Sequence, residues 1–256
     1  MKKLLILFLL FATVAKADWG KTGHRVVGKV AENHLTDSAK TAIAQILDGK
    51  SLALVSNWPD EMRSNPDFSK YGPWHYVNLP LDKEYHEVEH NHKGDVIVTI
   101  NKAIEVLKDD KSTKEEKAFW LKYLVHCVGD LHQPMHTGRS EDWGGSKIKL
   151  SFKGRKGSNT NTNLHVLWDT NMIDDYKMSY FEFAHTLEME GIEKFEQGDA
   201  ELWAYESHQY AKTIYAEVKD GDRLSYDYLY KNFPTVKSRL YKAGVRLAGI
   251  LNEVFS

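Results

Sequence analysis

Apolar side chains recur at helical spacing along most of this chain. Thr36 is suited to cap a first helix, and Gly49 lies just past the end of its apolar face. Ser112 and Glu115 have the spacing of a capping box and predict another helix that extends to about Asp130. The apolar faces and helical segments are Ala39, Ala42, Ile43, Ile46 and Leu47; Ile97, Ile100, Ile104 and Leu107; residues 199–217; and, after Pro234, Leu240, Ala243, Leu247, Ile250 and Leu251.

In one segment apolar and polar residues alternate, as they do along a β-strand. Ile148, Leu150 and Phe152 are separated by polar residues, and Gly154 follows as a turn signal. This pattern predicts a small β-hairpin within a polar excursion at residues 138–163. The sequence therefore predicts a mainly α fold, a single helical domain that carries one hairpin.

Residues 1–17 have the three parts of an export signal. Lys2 and Lys3 form a basic start, Leu4–Ala12 is apolar, and a small-x-small cleavage site ends at Ala17. The apolar run is far shorter than a membrane span, and no second run follows it. We expect an exported protein that does not stay in the membrane after the signal is removed.

Residues 18–256 then form the predicted functional domain, which is long enough for one sizeable core. Cys127 is the sole cysteine and has no partner for an intramolecular disulfide. There is also no Asn-x-Ser/Thr sequon, and both features favour bacterial export to the periplasm or the medium. We expect a monomer.

The charge of the chain argues against a basic nucleic-acid-binding surface. The full sequence has 34 Lys and Arg against 36 Asp and Glu, a formal charge of −2. Removal of residues 1–17 takes away Lys2, Lys3 and Lys16, so 31 basic residues remain against 36 acidic ones, a formal charge of −5. A polyanionic substrate would therefore need bound cations to attract it locally.

Two His-x-x-x-Asp pairs carry the candidate chemistry: His126 with Asp130, and His165 with Asp169. Residues four apart on a helix point the same way, so an imidazole and a carboxylate reach one cation. Such a pair is also common as a simple ion pair on a helix surface. The helix is apolar both on the side that carries His126 and on the opposite side, so the whole helix is predicted to be buried. A buried charge needs a partner or a metal. Imidazole and carboxylate together favour zinc.

Asp60, His75 and His24 are further candidate ligands, and each has an ordinary alternative. Asp60 follows a proline and also fits a helix cap. His75 lies between two aromatic residues and also fits a hydrogen-bonded core histidine, while His24 fits a surface position near a helix start. Local sequence does not decide among these readings.

A series of ordered motifs runs from Trp19 to Ser207. They are Trp19-Gly-x-x-Gly-His24, Trp58-Pro59-Asp60, Trp74-His75-Tyr76, His126-x-x-x-Asp130-x-His-Gln-Pro-x-His136, Gly144-Gly145, Asn163-Leu-His165-x-x-Trp168-Asp169 and Trp203-Ala204-x-Glu206-Ser207. This arrangement resembles the zinc-dependent single-strand nucleases of the S1/P1 type, in a superfamily that includes bacterial zinc phospholipase C. The resemblance covers essentially the whole chain after the signal.

The resemblance implies a helical fold of the phospholipase C/nuclease type and a cluster of three zinc ions. The first ion would be held by Asp60, His75, His126 and Asp130. Asp130 would bridge to a second ion held by His24 and Trp19, and the third ion would take His136, His165 and Asp169. Asp60 and Asp130 are the residues it implies for catalysis. The implied reaction cuts single-stranded DNA or RNA and leaves 5′-phosphates, while activity on nucleotide 3′-phosphates stays open.

This sequence departs from the family pattern at two positions. In the family the residue matching Trp19 is the first of the mature chain and binds zinc through its amine and carbonyl, but cleavage after Ala17 would leave Asp18 ahead of it. Asn78 stands where the fungal enzymes have an aspartate that reads the base, so base preference is not transferred. Tyr76 remains aromatic and suited to stack a base.

Two other functions compete with a nuclease. A zinc phospholipase C shares the three-zinc plan, but no aromatic membrane-docking run is evident. A non-catalytic zinc-binding protein would close its sites with four protein ligands, whereas His136, His165 and Asp169 leave one position open. The nearby His86, His90 and His92 lie in a polar stretch and are interpreted as solvated loop residues or incidental metal binders.

Overall fold

A computed structural model describes residues 19–154, 157, 159–191 and 195–256, so the predicted signal at residues 1–17 lies outside the described part. The α-helices are α1 (Lys21–Asn33), α2 (Asp37–Ile46), α3 (Leu52–Val55), α4 (Trp58–Met62), α5 (Val96–Lys108), α6 (Lys114–His132), α7 (Leu164–Val166), α8 (Met172–Asp175), α9 (Tyr180–Glu190), α10 (Ala200–Glu217) and α11 (Tyr226–Val254). Short 3₁₀ segments cover Pro66–His75, Tyr85–Glu87 and Pro134–Thr137, and a π-helical turn at Leu167–Asn171 joins α7 to α8.

The predicted helices form, but the predicted cap of one of them is wrong. Thr36 caps α2 by accepting a hydrogen bond from the Ala39 amide at 3.2 Å. The capping box of α6, however, uses Thr113 and Glu116 rather than Ser112 and Glu115. Thr113 Oγ1 accepts from the Glu116 amide at 3.2 Å, and the Glu116 carboxylate accepts from the Thr113 amide at 2.8 Å. Both pairs have the same spacing, so spacing alone did not select the cap.

The last helix starts earlier than its sequence predicts. It was expected after Pro234, but α11 begins at Tyr226 and runs through the proline. A proline inside a helix costs about 3 kcal/mol. Leu229 and Phe233 ahead of it are buried with Val236 and Leu240 beyond it, so packing of one continuous face outweighs that cost.

The predicted hairpin is confirmed and belongs to a slightly larger sheet. Strand β1 (Lys149–Lys153) pairs antiparallel with β2 (Asn159–Asn163). A two-residue strand, β3 (Arg223–Leu224), adds in parallel to the other edge of β1. A strand this short shows no alternation, which is why the sequence pattern did not predict it.

Helix α6 lies at the centre of the helical body, in contact with α5, α10 and α11. From Tyr123 to His132 every residue of α6 is buried, as its two apolar sides predicted. Helix α1 packs closely on α11, where Gly244 has no side chain. A Cβ at Gly244 would lie only 2.5 Å from Val30 Cβ. Buried apolar residues from Trp19 to Leu251 form one continuous core. Within the described ranges, no helix is both long and apolar enough to cross a membrane.

Candidate metal centre

Helix α6 brings the first His-x-x-x-Asp pair into the core. His126 and Asp130 are one turn apart and fully buried, with 3.0 Å between His126 Nε2 and Asp130 Oδ2. The helix ends at His132, and the following 3₁₀ turn holds His136, also buried. His136 Nδ1 lies 3.6 Å from Asp130 Oδ1. The surface ion pair considered for His126 and Asp130 is thus wrong.

His75 and Asp60 join this pair from two other elements. His75 Nδ1 lies 2.9 Å from His126 Nε2 and 3.1 Å from Asp130 Oδ2. Asp60, in the first turn of α4, places Oδ1 3.5 Å from His126 Nε2 and 3.8 Å from His75 Nδ1. Asp60 is the most exposed member of the group, with 23% of its side chain accessible, so solvent reaches the group on this side.

His24 approaches the other oxygen of the same carboxylate. It lies on α1, its Nε2 is 3.3 Å from Asp130 Oδ1, and its ring stacks on His126 with 3.9 Å between centroids. It is fully buried, so the surface position considered for it is wrong. Trp19 is also buried, and its indole donates to the Gly129 carbonyl at 2.5 Å. This contact comes from the ring, so ligation through the Trp19 amine stays a prediction.

The second His-x-x-x-Asp pair forms a separate group around His136. His165 Nε2 lies 3.1 Å from Asp169 Oδ2, and His136 Nε2 lies 3.6 Å from Asp169 Oδ1. Asp169 lies in the π-helical turn, a distortion that often marks functional sites. Among the described residues, three sets of ligand atoms lie within 4.8 Å of one another: His24, His126 and Asp130; Asp60, His75 and His126; and His136, His165 and Asp169.

Backbone carbonyls set the orientation of three of these imidazoles. His126, His136 and His165 each donate Nδ1–H, over 2.7 Å, to the carbonyls of Ser56, His75 and Gly144 respectively. A carbonyl oxygen only accepts, so in the neutral ring Nε2 holds a lone pair.

For His126 and His165 that lone pair faces a carboxylate oxygen at 3.0 and 3.1 Å. Two acceptors this close require a proton or a cation between them. The donor set of neutral imidazole nitrogens and carboxylate oxygens fits zinc.

The protonation states also suit metal ligands. Burial alone raises the pKa of Asp130, but its electrostatic interactions and hydrogen bonds with the surrounding imidazoles, first among them His126 and His136, outweigh burial and hold that pKa well below its usual range. Burial is likewise outweighed at Asp169, where His165 and His136 lower the pKa to about 2. Both carboxylates are therefore anionic at neutral pH, which is the form that binds a cation.

Tyr76 and Asn78 lie on a wall of a cavity beside the centre. The 3₁₀ segment ends at His75, and burial then alternates along the chain. His75, Val77 and Leu79 are buried, while Tyr76 and Asn78 are half-buried and line a cavity of about 440 Å³. His90 and His92 line the same cavity. Both are exposed, as their interpretation as solvated loop residues expected, but nothing in the local pattern of residues 84–92 indicated that they lie across a cavity from Tyr76.

Sequence reasoning also missed the side chains that support the centre from outside. The Gln133 amide donates to Asp169 Oδ1. Behind α6, two fully buried arginines of α11, Arg239 and Arg246, both donate to Glu206 of α10, at 2.6 to 2.8 Å. Arg246 also bonds His132 Nε2 at 3.0 Å. The sequence did indicate these buried arginines, because they stand seven residues apart on the otherwise apolar face of the last predicted helix.

The family's sequence model decides the identity of this arrangement: the S1/P1 nuclease model matches residues 19–256. The chain belongs to the S1/P1 nuclease family. As an S1/P1 nuclease it is a hydrolase of phosphodiester bonds, and it has the helical phospholipase C/nuclease fold. Enzymes of this family depend on zinc, in agreement with the chemistry of the three sets of ligand atoms.

Named relatives are similar over nearly their full lengths. Endonuclease 4 of Arabidopsis thaliana is 30% identical over 273 residues, covering 93% of this chain and 89% of that protein. Nuclease S1 of Aspergillus oryzae is 27% identical, covering 96% of each chain. Nuclease P1 of Penicillium citrinum is 28% identical, covering 92% of this chain and 97% of that protein. All three are nucleases by name, which favours the nuclease reading over phospholipase C.

Proposed function

We propose that this S1/P1 nuclease is an endonuclease that cuts single-stranded DNA and RNA with three zinc ions and leaves 5′-phosphates on its products. The observation that carries the proposal is the position of Asp130. One of its oxygens lies 3.0 Å from His126 Nε2, and the other lies 3.3 Å from His24 Nε2. A carboxylate shared in this way suits two adjacent cations, and the His136 group supports a third.

The ligand assignment follows the three groups. We assign Asp60, His75, His126 and Asp130 to the first ion, Asp130, His24 and Trp19 to the second, and His136, His165 and Asp169 to the third. Asp60 and Asp130 are assigned to the catalytic centre. None of the three sets within 4.8 Å contains a cysteine, and a set of three protein ligands leaves room for water or substrate. This favours catalysis over zinc storage.

Bound zinc would supply an activated water and neutralise charge on the leaving oxygen. The chain itself provides the rigid frame for that chemistry. The carbonyls of Ser56, His75 and Gly144 hold three imidazoles in one tautomer, so their Nε2 atoms keep one direction. Asp60, on the exposed side, marks where a phosphate would approach.

A single-stranded substrate agrees with the depth of the centre. The ligands other than Asp60 are 7% exposed or less, so a phosphate must leave the surface path to reach them. A flexible strand presents a phosphate in this way more easily than a duplex with a fixed backbone. Tyr76 is proposed to stack a base, and base stacking contributes about 1–3 kcal/mol and tolerates any sequence.

We propose that residues 1–17 direct export, to the periplasm or the medium, and that residues 18–256 form one monomeric nuclease domain. The single continuous core supports one domain. If cleavage follows Asp18 instead of Ala17, Trp19 gains the free amine that the second ion would use. Mass spectrometry of the secreted N-terminus, read together with the zinc content, distinguishes the two cleavage sites.

The test is hydrolysis by the purified mature protein. Single-stranded DNA and RNA and sequence-matched duplexes are compared before chelation, after chelation and after zinc is restored, with zinc per chain measured on the same sample. His126→Ala serves as the ligand variant, and His86→Ala, whose side chain is 73% exposed, as its control.

We expect about three zinc ions per chain and chelator-sensitive release of 5′-nucleotides from single strands. Only His126→Ala should lose this activity, together with at least one zinc ion per chain. Equal rates on single and double strands would contradict the strand preference. A zinc-loaded protein that leaves nucleic acid intact would contradict the proposed function.

A further inference from the structure

The cavity beside the metal centre has two walls from separate parts of the chain. One wall is the extended segment from Tyr76 to Asn78, directly after the candidate ligand His75. The other is the segment from Val88 to His92. At about 440 Å³ the cavity lies within the range of small-molecule sites, roughly 300–1,000 Å³.

His90 is held in position by a buried anchor. Its ring packs on Tyr85, with 4.1 Å between centroids, and the Tyr85 hydroxyl donates to Asp95 Oδ2 at 3.0 Å. The other oxygen of Asp95 caps α5 through the amides of Ile97 and Val98. The imidazole of His90 is thus tied, through Tyr85 and the buried Asp95, to the start of α5.

His92 is held by a tight turn. The Gly94 amide donates to the Asn91 carbonyl at 2.8 Å, and the Lys93 amide donates to Asn91 Oδ1 at 3.0 Å. The Trp74 indole donates to the Lys93 carbonyl at 2.8 Å, which fastens the turn to the residue just before His75. Both histidines are exposed, but these contacts hold the segment that carries them in place, and a wall that is already held loses little entropy when a ligand binds.

The lining chemistry fits a nucleobase and disfavours a phosphate. None of the described residues that line this cavity is lysine or arginine, and two of them, Glu89 and Asp95, are acidic. The remaining groups are the Tyr76 ring, the amides of Asn78 and Asn91, the Ser140 hydroxyl and the two imidazoles, together with aliphatic side chains. A flat heterocycle with donors and acceptors along its edge matches this combination.

We propose that His90 and His92 are specificity-determining residues, which contact the edge of a nucleobase whose face lies on Tyr76. This inference rests on the proposed nuclease function and extends its substrate site to a wall beyond Tyr76 and Asn78. With Asn78, the imidazoles offer hydrogen bonds that depend on the identity of the base. Because Tyr76 directly follows the candidate ligand His75, a base bound on this wall places the phosphate of the same nucleotide close to the metal centre.

The test compares the zinc-loaded protein with His90→Ala/His92→Ala on dinucleotides that carry each base next to the scissile bond, and on one with an abasic residue there. His86→Ala is the matched control, because His86 lies in the same loop but lines a different cavity. We expect the preference for a base over the abasic residue, measured as kcat/KM, to fall about five- to tenfold in the double variant. Its rate on the abasic dinucleotide and its zinc content should stay unchanged.

A binding measurement separates this inference from the proposed function. Calorimetry with nucleoside 5′-monophosphates and with ribose 5-phosphate reports base contacts even if no substrate is cleaved. Wild-type protein should prefer the nucleotides, the double variant should lose most of that preference, and His92→Asn should retain part of it through its amide. Equal preferences in the wild type and the double variant, in turnover or in binding, would overturn the role of these histidines.

Discussion

A Cβ atom at Gly129 would lie 3.0 Å from Nδ1 of His24. Gly129 precedes Asp130 on α6, and its carbonyl accepts the hydrogen bond from the Trp19 indole. The absence of a side chain at this one position lets α1 bring His24 up to Asp130. Glycine weakens a helix relative to alanine by about 1 kcal/mol, so this close approach is obtained at some cost in helix stability.

Gly129→Ala should therefore lower the activity without unfolding the protein. We expect α6 to keep its structure, while His24 moves away from Asp130 and the activity falls about ten- to a hundredfold, as for other changes that misorient a ligand. Zinc per chain should fall by about one. Circular dichroism, zinc analysis and kcat on single-stranded DNA check this outcome. Full activity with an unchanged zinc content would show that His24 does not depend on this spacing.

Asp130→Asn tests the shared carboxylate. Asparagine keeps the shape of the side chain but loses the charge and one acceptor oxygen, so both groups that meet at Asp130 should bind metal more weakly. We expect kcat to fall more than about a hundredfold, with loss of more than one zinc ion per chain. Asp95→Asn is the comparison, since Asp95 is also buried but caps α5 outside the three sets of ligand atoms. It should lower stability with a much smaller effect on zinc content.

Metal removal should destabilise the folded protein. The three sets of ligand atoms bring buried carboxylates and imidazoles together, and a ligand that binds the folded state alone stabilises it. We expect the Tm to fall by roughly 5–10 °C with excess chelator and to recover with zinc. Magnesium should not restore it, because it prefers oxygen ligands. An unchanged Tm after confirmed zinc removal would indicate that the metal makes no net contribution to folding.

Most of the helical fold could be predicted from local patterns, because helices α2, α5, α6 and α10 bury one or more regular apolar faces. The failures lie where tertiary packing overrides a local rule. Pro234 signals a helix start, yet α11 passes through it because Leu229 and Phe233 pack with the residues that follow. Strand β3 exists only because β1 offers it an edge.

The site could be predicted only as far as its spacing and its resemblance allowed. His-x-x-x-Asp spacing identifies His126 with Asp130 and His165 with Asp169, because helix geometry alone joins each pair. It cannot bring Asp60 to His75, since that contact depends on how α4 and the following 3₁₀ segment pack against α6. The position of His90 and His92 across a cavity from Tyr76 is likewise a property of the folded loop.

The corrected helix cap gives a direct stability test. Thr113→Ala removes the Oγ1 acceptor of the Glu116 amide and should lower the free energy of unfolding by about 1 kcal/mol. Ser112→Ala, one residue earlier, should change it by less than about 0.5 kcal/mol. Urea unfolding of both variants checks the pair. Equal effects, or a larger effect at Ser112, would contradict the assignment of the cap to Thr113.

Glu206 should contribute stability that depends on pH. Burial raises its pKa, but bonds from Arg246 and Arg239 outweigh it and lower the pKa to about 2. A lowered folded-state pKa means that the contribution is full above about pH 4.5 and is lost as pH falls towards 2. Glu206→Gln should lower the free energy of unfolding by about 2–3 kcal/mol at pH 7, and by progressively less between pH 4.5 and 2. Urea unfolding across that range checks it, with the exposed Glu253→Gln as a control that changes little.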